Sequence, residues 1–232
     1  APDERASMIA YFLKMRKISA KILILDCKDD FTKSKLFFKA WEKLYPDMIE
    51  WIPKSKGGKV VRIDSKENQI ILESGQNIKA DILNVIPEQK ASDLIRNSGL
   101  INGDWCRINP KTFELESNKN IHVIGDSIDA GDMPKSAFSA NSQGKACAEN
   151  LINIIFQKKL SNPVFLNTCY SLAAERYGFA ISSWYRVSSV DDRIVSLGSK
   201  SSPLKWDRDL GKREAHESYQ WYTSITDEIF GN

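Results

Sequence analysis

Histidine and cysteine are scarce in this chain, and their placement excludes several chemistries. Only His122 and His216 stand among 232 residues, too few for the histidine-rich ligand sets of catalytic zinc. The four cysteines, Cys27, Cys106, Cys147 and Cys169, are far apart. They form neither a Cys-x-x-Cys pair nor the Cys-x-x-Cys-His of covalent haem attachment. No metal site is expected. Long apolar runs are missing too: "LINIIF" (Leu151–Phe156) is interrupted by Asn153 and falls well short of the roughly 18 residues a membrane span needs. No charge of one sign dominates, because 33 basic and 30 acidic residues give a net charge of +3. Their even spread predicts neither a nucleic-acid-binding stripe nor an acidic tail. The chain also lacks an initiator methionine and a signal-type stretch before its first helical pattern, so Ala1 is not expected to be a natural beginning.

What is present suits a folded α/β chain, with 42% hydrophobic and 10% aromatic residues to fill a sizeable core. Met8, Ile9, Phe12 and Leu13 recur at helical spacing. "AKILILDC" (Ala20–Cys27) then reads as a continuous buried strand. An amphipathic helix, "SKLFFKAWEKLY" (Ser34–Tyr45), leads to the short strand "MIEWIP". "KVVRID" and "NQIILES" flank the turn "SKENQ" as hairpin strands do. "KADILNVIP" (Lys79–Pro87) is predicted to be another strand, halted by proline. The tail beyond Ser201 is polar, with Trp206, Tyr219, Trp221 and Tyr222 interleaved.

One stretch carries the most information: "IHVIGDSIDAGDMPKSAFSANSQGKACAEN" (Ile121–Asn150). Its first residues read as a parallel strand ending in Gly125-Asp126, where glycine admits a ligand to the backbone and the carboxylate can accept hydrogen bonds from sugar or ribityl hydroxyls. The same dipeptide also suits an ordinary turn. A helix follows, with Ser136 as its N-cap. Ala137, Ala140, Gly144 and Ala148 give it a nearly bare face, so something must pack close to it. Its N-terminus, near Met133-Pro134-Lys135, could be aimed at an electron-rich group.

This stretch resembles the second flavin-binding segment of the flavoprotein subunit family of flavocytochrome c sulfide dehydrogenase, within the flavin disulfide-reductase superfamily. The resemblance continues in order through "ERAS", "KILILD", "FFKAWEKLY", "MIEW", "ADILNVIP", "GDWCRINPKTFE", "LNTCYSLAAERYG" and "WYTSITDEIFG". It implies an incomplete two-domain Rossmann-like FAD/NAD-binding α/β fold with a C-terminal α+β interface domain. Residues 1–88 would be the later part of the second Rossmann-like domain, 89–158 the C-terminal part of the FAD-binding domain, and 159–232 the interface domain. By resemblance the cofactor is FAD, with Gly125 and Asp126 at its ribityl–phosphate part and Met133, Pro134 and Lys135 by the pyrimidine edge of the ring. Phe138 stands where the family commonly has tyrosine.

Three further residues have two readings each. Cys169, in "FLNTCYS", is by composition a buried thiol; by resemblance it is half of a redox-active disulfide whose partner precedes Ala1. Glu4 is favoured near a helix start by the dipole alone; by resemblance it lies near flavin and disulfide and can move a proton. Asp3, beside it, replaces an aromatic residue usual in the family. Trp221, in "QWYTSI", is a natural core anchor; by resemblance it lies close to the flavin, facing a cytochrome subunit. The resemblance therefore implies a periplasmic sulfide dehydrogenase that hands electrons to a c-type cytochrome. The chain as it stands, without a Gly-rich FAD turn, is expected to be a C-terminal fragment that holds FAD weakly and is inactive alone. The alternatives are an oxidoreductase using quinone or NAD(P), and a non-catalytic cytochrome-binding module.

Overall fold

The computed structural model describes residues 2–101, 103–205 and 207–231; Trp206 of the aromatic tail and Ala1 lie outside them. The chain divides into two compact units. The first comprises 1–87, 170–179 and 202–232, the second 88–169 and 180–201. The stretch 159–232 is therefore shared between the units.

The first unit begins with α1 (Pro2–Met15), followed by β1 (Ile22–Leu25), α2 (Ser34–Leu44) and β2 (Ile49–Ile52). Strands β1 and β2 pair in parallel, Ile22 opposite Ile49 and Leu25 opposite Ile52, so β1-α2-β2 is a β-α-β unit. The apolar spacing of α2 buries Phe37, Ala40 and Trp41 on one face. Phe179, from the segment 170–179, meets Phe37 edge-to-face at 4.8 Å, an arrangement in which the positive ring edge of one faces the negative ring face of the other. Helix α1 has the small buried residues Ala6, Ser7 and Ala10 on its inner face. This lets Trp41 approach and donate its indole N–H to Ser7 Oγ at 2.8 Å; Ser7 in turn donates to Asp3 O at 2.8 Å.

The expected hairpin is present: β3 (Val60–Asp64) pairs antiparallel with β4 (Gln69–Leu72), extended by β5 (Asn77–Lys79). Two strand expectations need correction. Leu23 is 40% exposed, so β1 is not buried throughout. Residues 80–87 form no strand; Ile82 is 85% exposed and Val85 and Ile86 about half. An apolar run becomes a strand only where a neighbour completes its ladder, and β5, which pairs with β4, stops at Lys79.

In the second unit, α3 (Asp93–Asn97) and a set of isolated bridges precede α4 (Ala137–Ile155). Its core includes Cys106, Phe113, Ile128, Met133, Phe165 and Ile194. The strand expected at Ile121–Ile124 is another correction. His122 makes one antiparallel bridge to Glu114, and Gly125–Ser127 is a short 3-10 turn. The parallel pairing lies slightly later, as a single bridge between Cys106 and Ile128.

A three-stranded sheet has the order β6 (Val164–Ala174), β7 (Tyr177–Val187) and β8 (Ile194–Ser201). The polar tail forms one long helix, α5 (Arg208–Phe230). Asp207 caps it by accepting the N–H groups of Asp209 and Leu210, and Gly231 ends it in the left-handed conformation. Gly178 on β7 lies so close to α5 that an added Cβ would be 2.4 Å from Ala215 N. Backbone cannot swing aside as a side chain can, so Gly178→Ala is expected to destabilise the protein by about 1–3 kcal/mol. This would be read from a lower urea midpoint with unchanged slope; a wild-type midpoint would show that α5 yields there freely.

Candidate functional site

Five of the residues expected to bind a cofactor lie close together in sequence within the second unit, and the structure shows how they are held. Gly125 has φ +74°, a conformation glycine adopts without cost, and a Cβ there would touch Ala140 Cβ at 3.4 Å. At Gly144, one turn further along α4 from Ala140, an added Cβ would lie 3.3 Å from Ile124 Cδ1. The bare face of α4 thus accepts the chain's own 124–125 turn through Ala140 and Gly144, while Ala137 and Ala148 remain exposed.

The deeply buried face of α4 is instead largely polar: Ser139, Gln143 and Asn150 are at most 1% exposed. Gln143 accepts the N–H of Gly125 at 2.8 Å and donates to Met133 Sδ at 3.5 Å. One amide therefore ties together the two ends of the candidate site. Ser136 caps α4 as expected, its Oγ accepting the N–H of Ser139 at 3.0 Å and donating to Asn167 Oδ1 at 2.6 Å. Gln143 and Asn167 were not singled out from sequence, because an isolated amide in a helix or strand carries no local signal of what it will meet.

Asp126, Pro134 and Lys135 are solvent-exposed. Lys135 Nζ donates to Ile128 O at 2.6 Å and sits 3.7 Å from the centre of the Trp105 ring. Desolvation holds its pKa below the ordinary lysine value, against the opposing pull of Asp126 and Asp129. This donor set fits a flavin nucleotide. An exposed carboxylate suits hydroxyl groups, and the backbone at Gly125 is reachable. A cation and a capped helix N-terminus suit negative charge.

Cys169 lies on β6, also in the second unit, partly buried. Its neighbour Thr168 shares a hydrogen bond with Ser182 at 2.9 Å. Among the described residues the four cysteines form no disulfide. Burial pushes the thiols of Cys106 and Cys147 up, away from the thiolate form that reacts.

Glu4 and Trp221 belong to the first unit. Glu4, in the first turn of α1, accepts the N–H of Leu172 at 2.7 Å, which fixes the carboxylate in place. Trp221, on α5 and partly buried, lies 6.4 Å from the Tyr170 ring. Asp3 is 5% exposed, and its Oδ1 has no hydrogen-bond partner among the described residues. Burial raises its pKa, with Asp26 adding to the effect.

A carboxyl whose folded pKa lies above its unfolded value binds its proton more tightly when folded. It therefore lowers stability as pH rises from the unfolded towards the folded value. Asp3→Asn should accordingly match wild type below pH 3.8, the ordinary value, and unfold at a higher urea midpoint at pH 7. An Asp3→Asn protein no more stable than wild type at pH 7 would contradict this account.

Residues 1–87 match the family described as sulfide dehydrogenase (flavocytochrome c) flavoprotein chain, central. Residues 161–230 match the family described as flavocytochrome c sulphide dehydrogenase, flavin-binding. Among solved structures, the chain is similar to the sulfide:quinone oxidoreductase of the hyperthermophilic bacterium Aquifex aeolicus. The TM-score is 0.57 and the identity 16%, over 98% of this chain and 58% of that one. This likeness shows the fold, that of the flavin disulfide reductases, and the chain spans little more than half the length of that enzyme. With two matches to the same flavoprotein, one on each side of the Gly125–Lys135 cradle, the chain belongs to the flavocytochrome c sulfide dehydrogenase flavoprotein family, whose cofactor is FAD.

Proposed function

We propose that this chain serves in an FAD-dependent oxidoreductase that oxidises sulfide and passes the electrons to a c-type cytochrome in the periplasm. The observation that carries the reading is the cradle from Gly125 to Lys135, locked by Gln143 and lying between two regions of flavoprotein sequence. When bound, FAD supplies the conversion between two-electron and one-electron transfer.

The chain's own residues have separable tasks. Asp126 accepts hydrogen bonds from ribityl or ribose hydroxyls, with the Gly125 backbone beside it. Met133 and Pro134 lie against the pyrimidine edge, while Lys135 and the α4 N-terminus oppose negative charge there. Cys169 serves as one half of a redox-active disulfide. Attack by HS⁻ on such a bond forms a new S–S bond to one sulfur and releases the other as thiolate. Glu4, held through one oxygen by Leu172 N–H, takes the proton that the bound sulfur must lose. Trp221 shields the ring on the side of the electron acceptor.

Quinone as acceptor is the second reading, favoured by the likeness to sulfide:quinone oxidoreductase. Helix α5 does present exposed Tyr222, Ile229 and Phe230, although no amphipathic tail is evident from sequence. Its last turn, however, has no basic residue and contains Asp227 and Glu228, unlike a helix that rests on anionic lipid.

Two measurements test the proposal. FAD titrated into the full-length protein should bind, with Asp126→Ala and Lys135→Met each weakening affinity about tenfold, or ~1.4 kcal/mol; equal affinity in all three proteins would remove the cradle from the flavin site. Full-length, FAD-loaded protein given sulfide should reduce cytochrome c but not a quinone analogue, with Cys169→Ser lowering the rate at least ~100-fold. Reduction of the quinone analogue alone would transfer the argument to the second reading.

A further inference from the structure

Lys135 is held from two sides by residues that no sequence motif connects to it. Its Nζ donates to Ile128 O at 2.6 Å and lies 3.7 Å from the centre of the Trp105 ring. These two contacts have a common origin in the backbone. Cys106 N–H donates to Ser127 O at 2.9 Å, and Asp129 N–H donates to Cys106 O at 2.8 Å, which forms the parallel bridge between Cys106 and Ile128. Trp105 directly precedes one partner of that bridge, and the carbonyl belongs to the other. The bridge itself is anchored by side chains that are fully buried, Cys106 and Ile128 each being 0% exposed. The indole face and the carbonyl thus form a clamp on a rigid base.

A lysine ammonium ordinarily moves freely on four rotatable methylenes and gives up much of that freedom when fixed. Tryptophan is the ring that attracts a cation most strongly, by an amount comparable to that lost side-chain entropy. Side-chain entropy of similar size is thereby offset before any ligand arrives, which is what preorganisation means. Asp126 and Asp129 both pull on the same charge, so without the clamp the ammonium could turn to either carboxylate instead of facing outwards.

We propose that Trp105 is a positioning residue for the flavin site: with the Ile128 carbonyl it fixes the Lys135 ammonium, so that the positive charge favours reduced over oxidised flavin. The proposal rests on the placement of Lys135 beside the ring given under the proposed function. Trp105 touches the lysine, and its effect on the cofactor passes through that contact.

The clamp can be read without cofactor. In the purified chain, the Lys135 ε-CH₂ resonance should be shifted upfield by the indole ring current, and Trp105→Leu should abolish the shift. In the FAD-loaded protein, Lys135→Met should weaken binding of reduced relative to oxidised flavin about tenfold, a fall of ~30 mV for a two-electron couple. Trp105→Leu should reproduce most of that fall, and Trp105→Phe much less. Should Trp105→Leu not fold, fluorotryptophan provides the second measurement. It drains the ring's negative face without changing its shape, and should lower the potential of wild type but not of Trp105→Phe. A potential unchanged by Trp105→Leu or by fluorination overturns the proposal. If Lys135→Met itself keeps the wild-type potential while the upfield signal persists in wild type, the placement of Lys135 beside the flavin is overturned, and the positioning role with it.

Discussion

The carboxamide of Gln143, 1% exposed, accepts the N–H of Gly125 and donates to Met133 Sδ; the geometry of the cradle depends on it. The turn at Gly125–Ser127 has little regular pairing of its own, with isolated bridges on either side in place of a strand. A turn built this way would move unless something fixed its first N–H. A buried amide does so with direction as well as strength, since an unmet N–H or amide in the core costs roughly 1–3 kcal/mol. The same side chain then fixes Met133 at the other end of the loop. Asp126 and Lys135 follow, because their backbones are pinned on one side of each.

The buried face of α4 extends this logic along the helix. Ser139 lies against the Ser136 cap and Asn167, and Asn150 takes the N–H and hydroxyl of Ser161 while donating to Lys111 O. A helix with apolar residues at these positions could slide or rotate against its neighbours at small cost. Polar groups that each require a stated partner allow one register. Specificity of position is gained, and it fixes where the α4 N-terminus and its Ser136 cap lie.

Much of this organisation was legible in the sequence where the signal is local. Helix α4 and its cap follow from Ser136 and the periodicity after it, α2 from the spacing of Phe37, Ala40 and Trp41, and the hairpin from alternation about a polar turn. The strands misread at 121–124 and 80–87 share a different origin. Each is an apolar run, and apolar character shows that a segment can be buried but not that a partner strand lies beside it. Trp105, Gln143 and Asn167 escaped notice because their partners are 18 to 31 residues away for the first contacts of Gln143 and Asn167. For Trp105 the link depends on the bridge to Ile128. Family resemblance drew attention to residues 125–135, and the structure shows what holds them.

Asp3 and Glu4 show how strongly placement governs chemistry that composition leaves open. They are adjacent in the first turn of α1, where the helix dipole favours both as anions. Glu4 turns to Leu172 N–H and is satisfied. Asp3 is buried, and its Oδ1 meets no hydrogen-bond partner among the described residues. Burial then outweighs the dipole and raises the pKa of Asp3, with Asp26 adding to the effect. Glu4 has a backbone donor, whereas Asp3, without one at Oδ1 among the described residues, carries a cost in stability as pH rises.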